Sequence, residues 1–198
     1  PFVQEALSKP ITMADIDEAE SYLVPHGVPF NREGWEYIVK QHGGYMPVVI
    51  RGLPEGTKVP LKNALVTIVN TDPKCFWVTS YLETALLRAV WYATSVATIS
   101  NNIRRTLTDY WKKSSDAPVD ILNFKLHDFG YRGVSSEESG SLGGLAHLFN
   151  FMGTDTIGAL VAARKYYGEQ MAGYSIPAAE HSTITSWGKE NEFAAYRN

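Results

Sequence analysis

Apolar residues are spaced differently in the first and last parts of the chain. In residues 11–43 they recur three and four positions apart, as at Met13 and Ile16, which predicts helices. From residue 47 the runs VVIRGL and ALVTIVNT flank a segment with Pro and Gly, so a small antiparallel unit is predicted there. Residues 76–110 return to helical spacing, which predicts at least one long helix and favours two.

After residue 120 the chain repeats one theme three times: an apolar run, a polar or glycine-containing loop, and a helix. The apolar runs are ILNFKLH (residues 121–127), LFNF and GYSIP, and the helices are predicted through 144–148, over 157–167 and from about Thr183. Such alternation predicts a parallel sheet, in an α/β barrel or a doubly wound fold. Ligands meet the carboxyl ends of parallel strands, so Arg132, Asp155 and His181, one in each loop, are expected on one rim.

Composition narrows the possible functions. The 198 residues are 44% hydrophobic and carry 18 Lys and Arg against 21 Asp and Glu, which is typical of a globular protein and argues against a nucleic-acid partner. The single cysteine, Cys75, cannot form an internal disulfide and is expected as a small buried apolar residue. No apolar run is long enough for a membrane span and no signal peptide is evident, so a cytoplasmic location is expected. The first residue is not Met and the last residues read as an open helix, so a piece of a longer protein is expected.

The loop KLHDFGYRG offers two groups for ligand binding. Phe129, beside Gly130, can stack on a flat ring if it is exposed. Arg132 can hold a phosphate or carboxylate through two parallel hydrogen bonds. The structural alternatives are a core phenylalanine and an ordinary ion pair.

Asp155, between two threonines in GTDT, can cap the following helix or can accept hydrogen bonds from an amide NH2 and repel a carboxylate. Thr154 or Thr156 could supply the cap instead.

Glu180 and His181 lie side by side in PAAEHST. A histidine there can act as base, acid or phosphate acceptor, although single histidines are more often structural. His127, His147 and His181 lack the spacing of a metal site, so no metal is predicted, and His147 is expected to pack among apolar neighbours.

The blocks KLHDFGYRGVSS, GTDT and GYSIPAAEHSTITSWGKE resemble the nicotinamide phosphoribosyltransferases, which are type II phosphoribosyltransferases. The shorter blocks LPEG, NTDP, LET and VAT extend the resemblance over about residues 35–187. It implies part of an irregular α/β barrel with a smaller α+β domain: residues 1–115 would form a helical and β-rich domain, and residues 116–198 the first, incomplete set of βα units of the barrel. It also implies a homodimer with the active site at the subunit interface.

The resemblance also implies roles for four substrate-binding residues. Phe129 would form one face of a clamp on the pyridine ring, and a tyrosine of the partner subunit, from a segment before residue 1, would form the other. Asp155 would bind the carboxamide NH2, Ser175 would help to hold the amide, and Arg132 would contact the ring or the phosphoribosyl group.

The implied reaction transfers phosphoribose from phosphoribosyl pyrophosphate to nicotinamide, in NAD biosynthesis, with Mg²⁺ on the leaving pyrophosphate. The catalytic residues would be His181, phosphorylated when ATP hydrolysis is coupled to the reaction, and Glu180 beside it. Phe124 stands where some relatives have tyrosine. Family members continue into further barrel strands that hold the ribose and its phosphates, so this stretch alone is expected to be inactive.

Two alternatives stay open. A nicotinate or quinolinate phosphoribosyltransferase has an acidic substrate and would require a basic group where Asp155 stands, so the sequence favours the amide. The chain could also be a non-catalytic fragment or interaction module that keeps the fold.

Overall fold

A computed structural model describes all 198 residues of the chain. The chain forms two compact units, Pro1–Ile99 and Ser100–Asn198. This division lies inside a long helix, whereas the sequence placed the domain boundary just past that helix, between residues 115 and 116. The complete domain organisation of the protein stays a prediction.

The first unit begins with the two helices that the apolar spacing predicts. α1 covers Met13–His26, and Thr12 starts it with a capping box in which Thr12 and Asp15 bond reciprocally. α2 covers Arg32–His42. Both helices end at a glycine in the left-handed conformation, which only glycine adopts without strain. The prediction of a helical first segment is confirmed.

The predicted antiparallel unit is also confirmed. β1 (Val48–Gly52) pairs with β2 (Val66–Asn70). Cys75 is fully buried, as expected for a small apolar residue, and burial raises the pKa of its thiol. The apolar core of this unit contains Ile16, Trp35, Ile38, Cys75, Val78 and Leu82.

The long helical stretch is one helix. α3 runs for 37 residues over Val78–Ser114, so the expectation of two helices is wrong. Its sequence contains no Gly or Pro that would interrupt it. None of the helices in the structure combines the length and the apolar character needed to cross a lipid bilayer.

The second unit is mixed α/β, as predicted, but its strands are much shorter than the apolar runs. β3 covers His127–Asp128 and lies parallel to β4 (Gly153–Thr154), and Tyr174 forms a further parallel bridge with Gly153. Most of the predicted first strand is instead a 3₁₀ helix, Val119–Phe124. The predicted strand LFNF is wrong as well, because the preceding helix extends to Leu148. Short apolar runs do not distinguish a strand from a buried helical turn.

Two helices, α4 (Glu137–Leu148) and α5 (Ile157–Tyr167), pack closely on each other in this unit. A Cβ atom on Gly144 of α4 would lie only 2.5 Å from Cβ of Ala159 in α5, so the two backbones approach as far as a glycine allows. The chain ends with α6 (His181–Thr185) and α7 (Glu192–Arg197). The remaining short helical turns are Val3–Leu7, Pro73–Cys75, Gly130–Gly133 and Lys189–Asn191.

Candidate substrate-binding site

Three of the predicted substrate-binding residues follow directly after the three parallel segments. Phe129 comes after β3, Asp155 comes after β4, and Ser175 comes after the bridging residue Tyr174. Because the segments are parallel and adjacent, their carboxyl ends meet at one edge. The fold therefore gathers residues that lie 20 or more positions apart in sequence.

The Asp155 carboxylate is held from two sides. Ser175 donates its hydroxyl to Oδ1 at 2.6 Å, and Nε2 of His127 lies 2.9 Å from Oδ2. These bonds, the one from Ser175 first, lower the pKa of Asp155. The side chain is still 40% exposed, so the structure presents an ionised acceptor with an open edge.

The structure gives the Asp155 carboxylate a role other than capping α5. Thr156 occupies the N-cap position but its hydroxyl makes no capping bond. Instead, the hydroxyl of Thr154 accepts a hydrogen bond from the Thr156 amide at 3.0 Å. Both oxygens of Asp155 are thus turned toward Ser175 and His127, at the site edge.

Phe129 is not a core residue, because 55% of it is exposed. Its ring lies against the imidazole of His127, with the ring centroids 4.2 Å apart and the planes tilted by 31°. One face of the phenyl ring is therefore supported by protein, and exposed ring surface is left for a planar ligand.

The loop that carries Phe129 and Arg132 is fixed at two points. Oδ1 of Asp128 accepts a hydrogen bond from the Gly130 amide at 2.8 Å. The ring of Tyr131 lies in the space left by two helical glycines, Gly140 of α4 and Gly158 of α5. A Cβ on Gly140 would lie 2.6 Å from the Tyr131 ring, and a Cβ on Gly158 would lie 3.0 Å from the Tyr131 hydroxyl. The tight packing of these helices therefore also positions the loop.

Arg132, Glu180 and His181 form a second, exposed group. One Glu180 oxygen, Oε1, lies 2.9 Å from Nδ1 of His181 and 4.0 Å from the Arg132 guanidinium. Glu180 caps α6 by accepting from the Ser182 amide, and the pKa of its carboxyl is lowered by the Ser182 hydroxyl, by that amide and by His181. The Arg132 side chain is 80% exposed and its contact with Glu180 is long, so Arg132 does not form a tight structural ion pair.

His127 is the site residue that the sequence reasoning missed. It was considered only as a metal ligand, whereas here it contacts both Asp155 and Phe129. One signal was available: His127 and Phe129 are two positions apart, so in an extended segment they point to the same side. Its partnership with Asp155 spans 28 residues and has no local signature.

His147 packs as expected. It is 6% exposed, Nε2 lies 2.9 Å from the Gly153 carbonyl oxygen, and burial lowers its pKa.

A cluster of metal-ligand types lies in the first unit, which the spacing of the other histidines did not predict. Ligand atoms of His42, Asp72 and Cys75 lie within 4.8 Å of one another. However, one oxygen of Asp72 already accepts from Tyr37 at 3.0 Å and lies 2.8 Å from Nε2 of His42. Burial also raises the pKa of the Cys75 thiol, which favours the protonated form. We interpret the cluster as a hydrogen-bonded link between α2 and the turn Pro73–Cys75.

Comparison with known proteins finds similar sequences for this part of the chain. The model of the nicotinate phosphoribosyltransferase (NAPRTase) family matches residues 124–198, which contain all of the predicted site residues. Three curated relatives carry the name nicotinamide phosphoribosyltransferase. The protein of Xanthomonas campestris pv. campestris is 57% identical over 99% of this chain, that of Acinetobacter baylyi 37% over 82%, and that of Mycoplasma pneumoniae 31% over 81%. The chain spans 42%, 32% and 34% of the lengths of these relatives. Residues 124–198 thus match the model of the nicotinate phosphoribosyltransferase family, and the chain is similar over 99% of its length to a curated nicotinamide phosphoribosyltransferase.

Proposed function

We propose that the protein transfers phosphoribose from phosphoribosyl pyrophosphate to nicotinamide, giving nicotinamide mononucleotide and pyrophosphate, and so serves NAD biosynthesis. The names of the relatives support this proposal. The observation that carries it is the Asp155 carboxylate, held by Ser175 and His127 beside the exposed ring of Phe129. An aromatic face next to an ionised acceptor suits a flat pyridine ring that bears an amide donor.

Alignment is the main task of these residues. The pyridine nitrogen is a weak nucleophile, so the rate depends on its orientation and on stabilisation of charge. Phe129 would hold the ring plane, and Asp155 would accept from the carboxamide NH2 and thereby fix the rotation of the ring in that plane. The new bond joins the ring nitrogen to C1 of the ribose while the bond from C1 to the pyrophosphate oxygen breaks. The pyrophosphate leaves with both electrons of that bond.

Mg²⁺ would neutralise the leaving pyrophosphate. The ion prefers oxygen ligands. The ligand-type cluster of this chain, His42, Asp72 and Cys75, offers a nitrogen and a sulfur and does not fit it. We therefore assign no Mg²⁺ ligand to this chain, and the ion would enter with phosphoribosyl pyrophosphate.

We also infer that the parallel segments after residue 124 begin an α/β barrel and that the protein works as a homodimer. The parallel pairing of β3, β4 and Tyr174 supports the barrel, because each added βα unit extends the same sheet. Exposed ring surface on Phe129 supports the dimer, since a second aromatic group from a partner subunit would complete the clamp.

His181 is the proposed site of ATP coupling. With Nδ1 of His181 turned to the Glu180 carboxylate at 2.9 Å, a neutral ring would carry its proton there and keep the Nε2 lone pair outward. Nε2 would attack the γ-phosphorus of ATP, and ADP would leave with the electrons of the broken P–O bond. Glu180 would stabilise the positive charge on the phosphorylated ring. Arg132, close to Glu180, would hold a phosphate oxygen.

Nicotinate is the second candidate substrate, because the matching family model bears its name. Its carboxylate would face the Asp155 carboxylate, and the lowered pKa of Asp155 keeps that residue ionised at neutral pH. The amide therefore fits this edge better than the acid.

The test is a direct comparison on the full-length protein. Nicotinamide and nicotinate are each incubated with phosphoribosyl pyrophosphate and Mg²⁺, and the two mononucleotides are separated and quantified. We expect kcat/KM for nicotinamide to exceed that for nicotinate by at least about a hundredfold. A preference for nicotinate would contradict the proposal, and no product from either substrate would favour a non-catalytic role.

A further inference from the structure

We propose that His127 is a positioning residue that fixes the Asp155 carboxylate in the orientation required by a carboxamide and supports the ring of Phe129 from behind. This inference rests on the proposed function, since it concerns how the same site selects its substrate. It assigns a role to a residue that the sequence analysis left outside the site.

The contacts of His127 suit this role. Its side chain is only 6% exposed, whereas those of its two partners face solvent. Nε2 lies 2.9 Å from Oδ2 of Asp155, and the imidazole centroid lies 4.2 Å from that of Phe129. One buried ring thus contacts both the acceptor for the amide and the platform for the pyridine ring.

The surroundings of His127 also fix which ring nitrogen donates to Asp155. An ionised carboxylate has no proton to give, so the bond to Asp155 requires a proton on Nε2. Nδ1 is buried and has no hydrogen-bond partner. Gly153 packs against it so closely that a Cβ on Gly153 would lie 2.7 Å from Nδ1. Nε2 of His127 is therefore a donor with a single direction.

Two donors of fixed direction leave the carboxylate of Asp155 little freedom. Ser175 bonds Oδ1 and His127 bonds Oδ2, so rotation of the carboxylate would break both bonds. Its remaining lone pairs then face the exposed edge in one plane. Without His127, the carboxylate is held at Oδ1 alone and can turn out of that plane.

Two substitutions of His127 by amide side chains distinguish its role as a hydrogen-bond donor from a role in packing. In His127→Gln, the amide nitrogen can occupy the place of Nε2 and donate to Asp155. In His127→Asn, the shorter side chain reaches only the place of Nδ1 and cannot donate. Both variants are uncharged and lack the aromatic ring, so they form a matched pair.

We expect His127→Asn, in the full-length protein, to raise KM for nicotinamide roughly five- to twentyfold, while KM for phosphoribosyl pyrophosphate changes less than about twofold. His127→Gln should return KM for nicotinamide to within about fourfold of wild type. In an Asp155→Asn background, His127→Asn should add at most about fourfold, because the bond between the two residues is already lost and only the support of the Phe129 ring remains to be removed. Equal effects of the Gln and Asn variants, or full additivity with Asp155→Asn, would overturn the inference.

The protonation of Nε2 can also be measured on the wild-type protein, so this test does not depend on the folding of a variant. Nitrogen-15 NMR of histidine-labelled protein should show a proton on Nε2 of His127. A ring that carries no proton on Nε2 would overturn the inference. Wild-type turnover separates this result from the broader proposal: an active wild type with an unperturbed His127→Asn variant refutes only the role of His127. An inactive wild type refutes the proposed function and, with it, this role.

Discussion

Replacing Asp155 by asparagine removes one negative charge from the site edge and changes its shape little. An asparagine oxygen can still accept from Ser175, and its NH2, in the place of Oδ2, can face a substrate carboxylate but no longer accepts from His127. The repulsion of nicotinate should then vanish, while part of the bonding to nicotinamide survives. Substrate preference, more than overall rate, is the quantity that this substitution should change.

The size of the effect follows from the geometry of Asp155. A hydrogen bond from an amide to an ionised carboxylate contributes about 1.5 to 3 kcal/mol. A second carboxylate at about 4 Å would cost about 4 kcal/mol at an effective dielectric constant of about 20. Because the side chain is 40% exposed, solvent screens both effects, and about 3 kcal/mol remains for the sum. That difference corresponds to roughly a hundredfold preference for nicotinamide.

Steady-state kinetics of the full-length Asp155→Asn variant with both substrates is the assay. We expect the ratio of the two kcat/KM values to fall by at least about tenfold, mostly through better use of nicotinate. Asp116→Asn makes the same charge change at an exposed aspartate outside the site and should leave the ratio unaltered. An unchanged ratio in a folded Asp155→Asn variant would refute the specificity argument.

Three further substitutions test other parts of the structure. His181→Ala in the full-length protein should abolish the stimulation by ATP while slow basal synthesis persists, and full ATP-stimulated kcat/KM in this variant would contradict the assignment. Gly140→Ala should displace the ring of Tyr131, lower Tm by about 2 to 8 °C and raise KM for nicotinamide at least about threefold. Gly133→Ala is the control, because a Cβ at that position meets open space, and it should change neither Tm nor KM. Equal melts and kinetics for the two variants would contradict the packing argument. Asp72→Asn should lower Tm at pH 7. The pKa of Asp72 is lowered in the folded state, so the contribution of this carboxylate to stability is present at neutral pH and is lost as pH falls through the folded pKa. The Tm difference between the variant and wild type should therefore shrink in melts below about pH 4. A Tm difference that does not change with pH would contradict this.

The sequence predicted best those elements whose ends are chemically marked. α5 was predicted over its full length, because GTDT precedes it and Gly168, in the left-handed conformation, ends it. The alternation of strands and helices also predicted the loops that carry the site residues, although it grouped Arg132, Asp155 and His181, whereas in the structure Arg132 and His181 lie beside Glu180 and Asp155 bonds Ser175 and His127. These features depend on local residue types and on a general rule of parallel sheets.

The strands and the role of His127 were beyond such reasoning. The run ILNFKLH is apolar enough for a strand, but Pro118 precedes a 3₁₀ helix and only His127 reaches the sheet. The bond from His127 to Asp155 depends on the register of β3 and β4, which pairs His127 with Gly153. A single sequence does not fix that register, because it is decided by packing between distant segments.

The close approach of α4 and α5 also bears on the order in which the site assembles during folding. Only residues 149–156 connect the two helices, so little chain entropy is lost in closing this loop, and contacts between near neighbours in sequence form early. Asp155 lies inside this connection, whereas His127 and Ser175 come from outside it. The bonds that orient the carboxylate therefore form only when the segments on both sides of the helix pair have joined it.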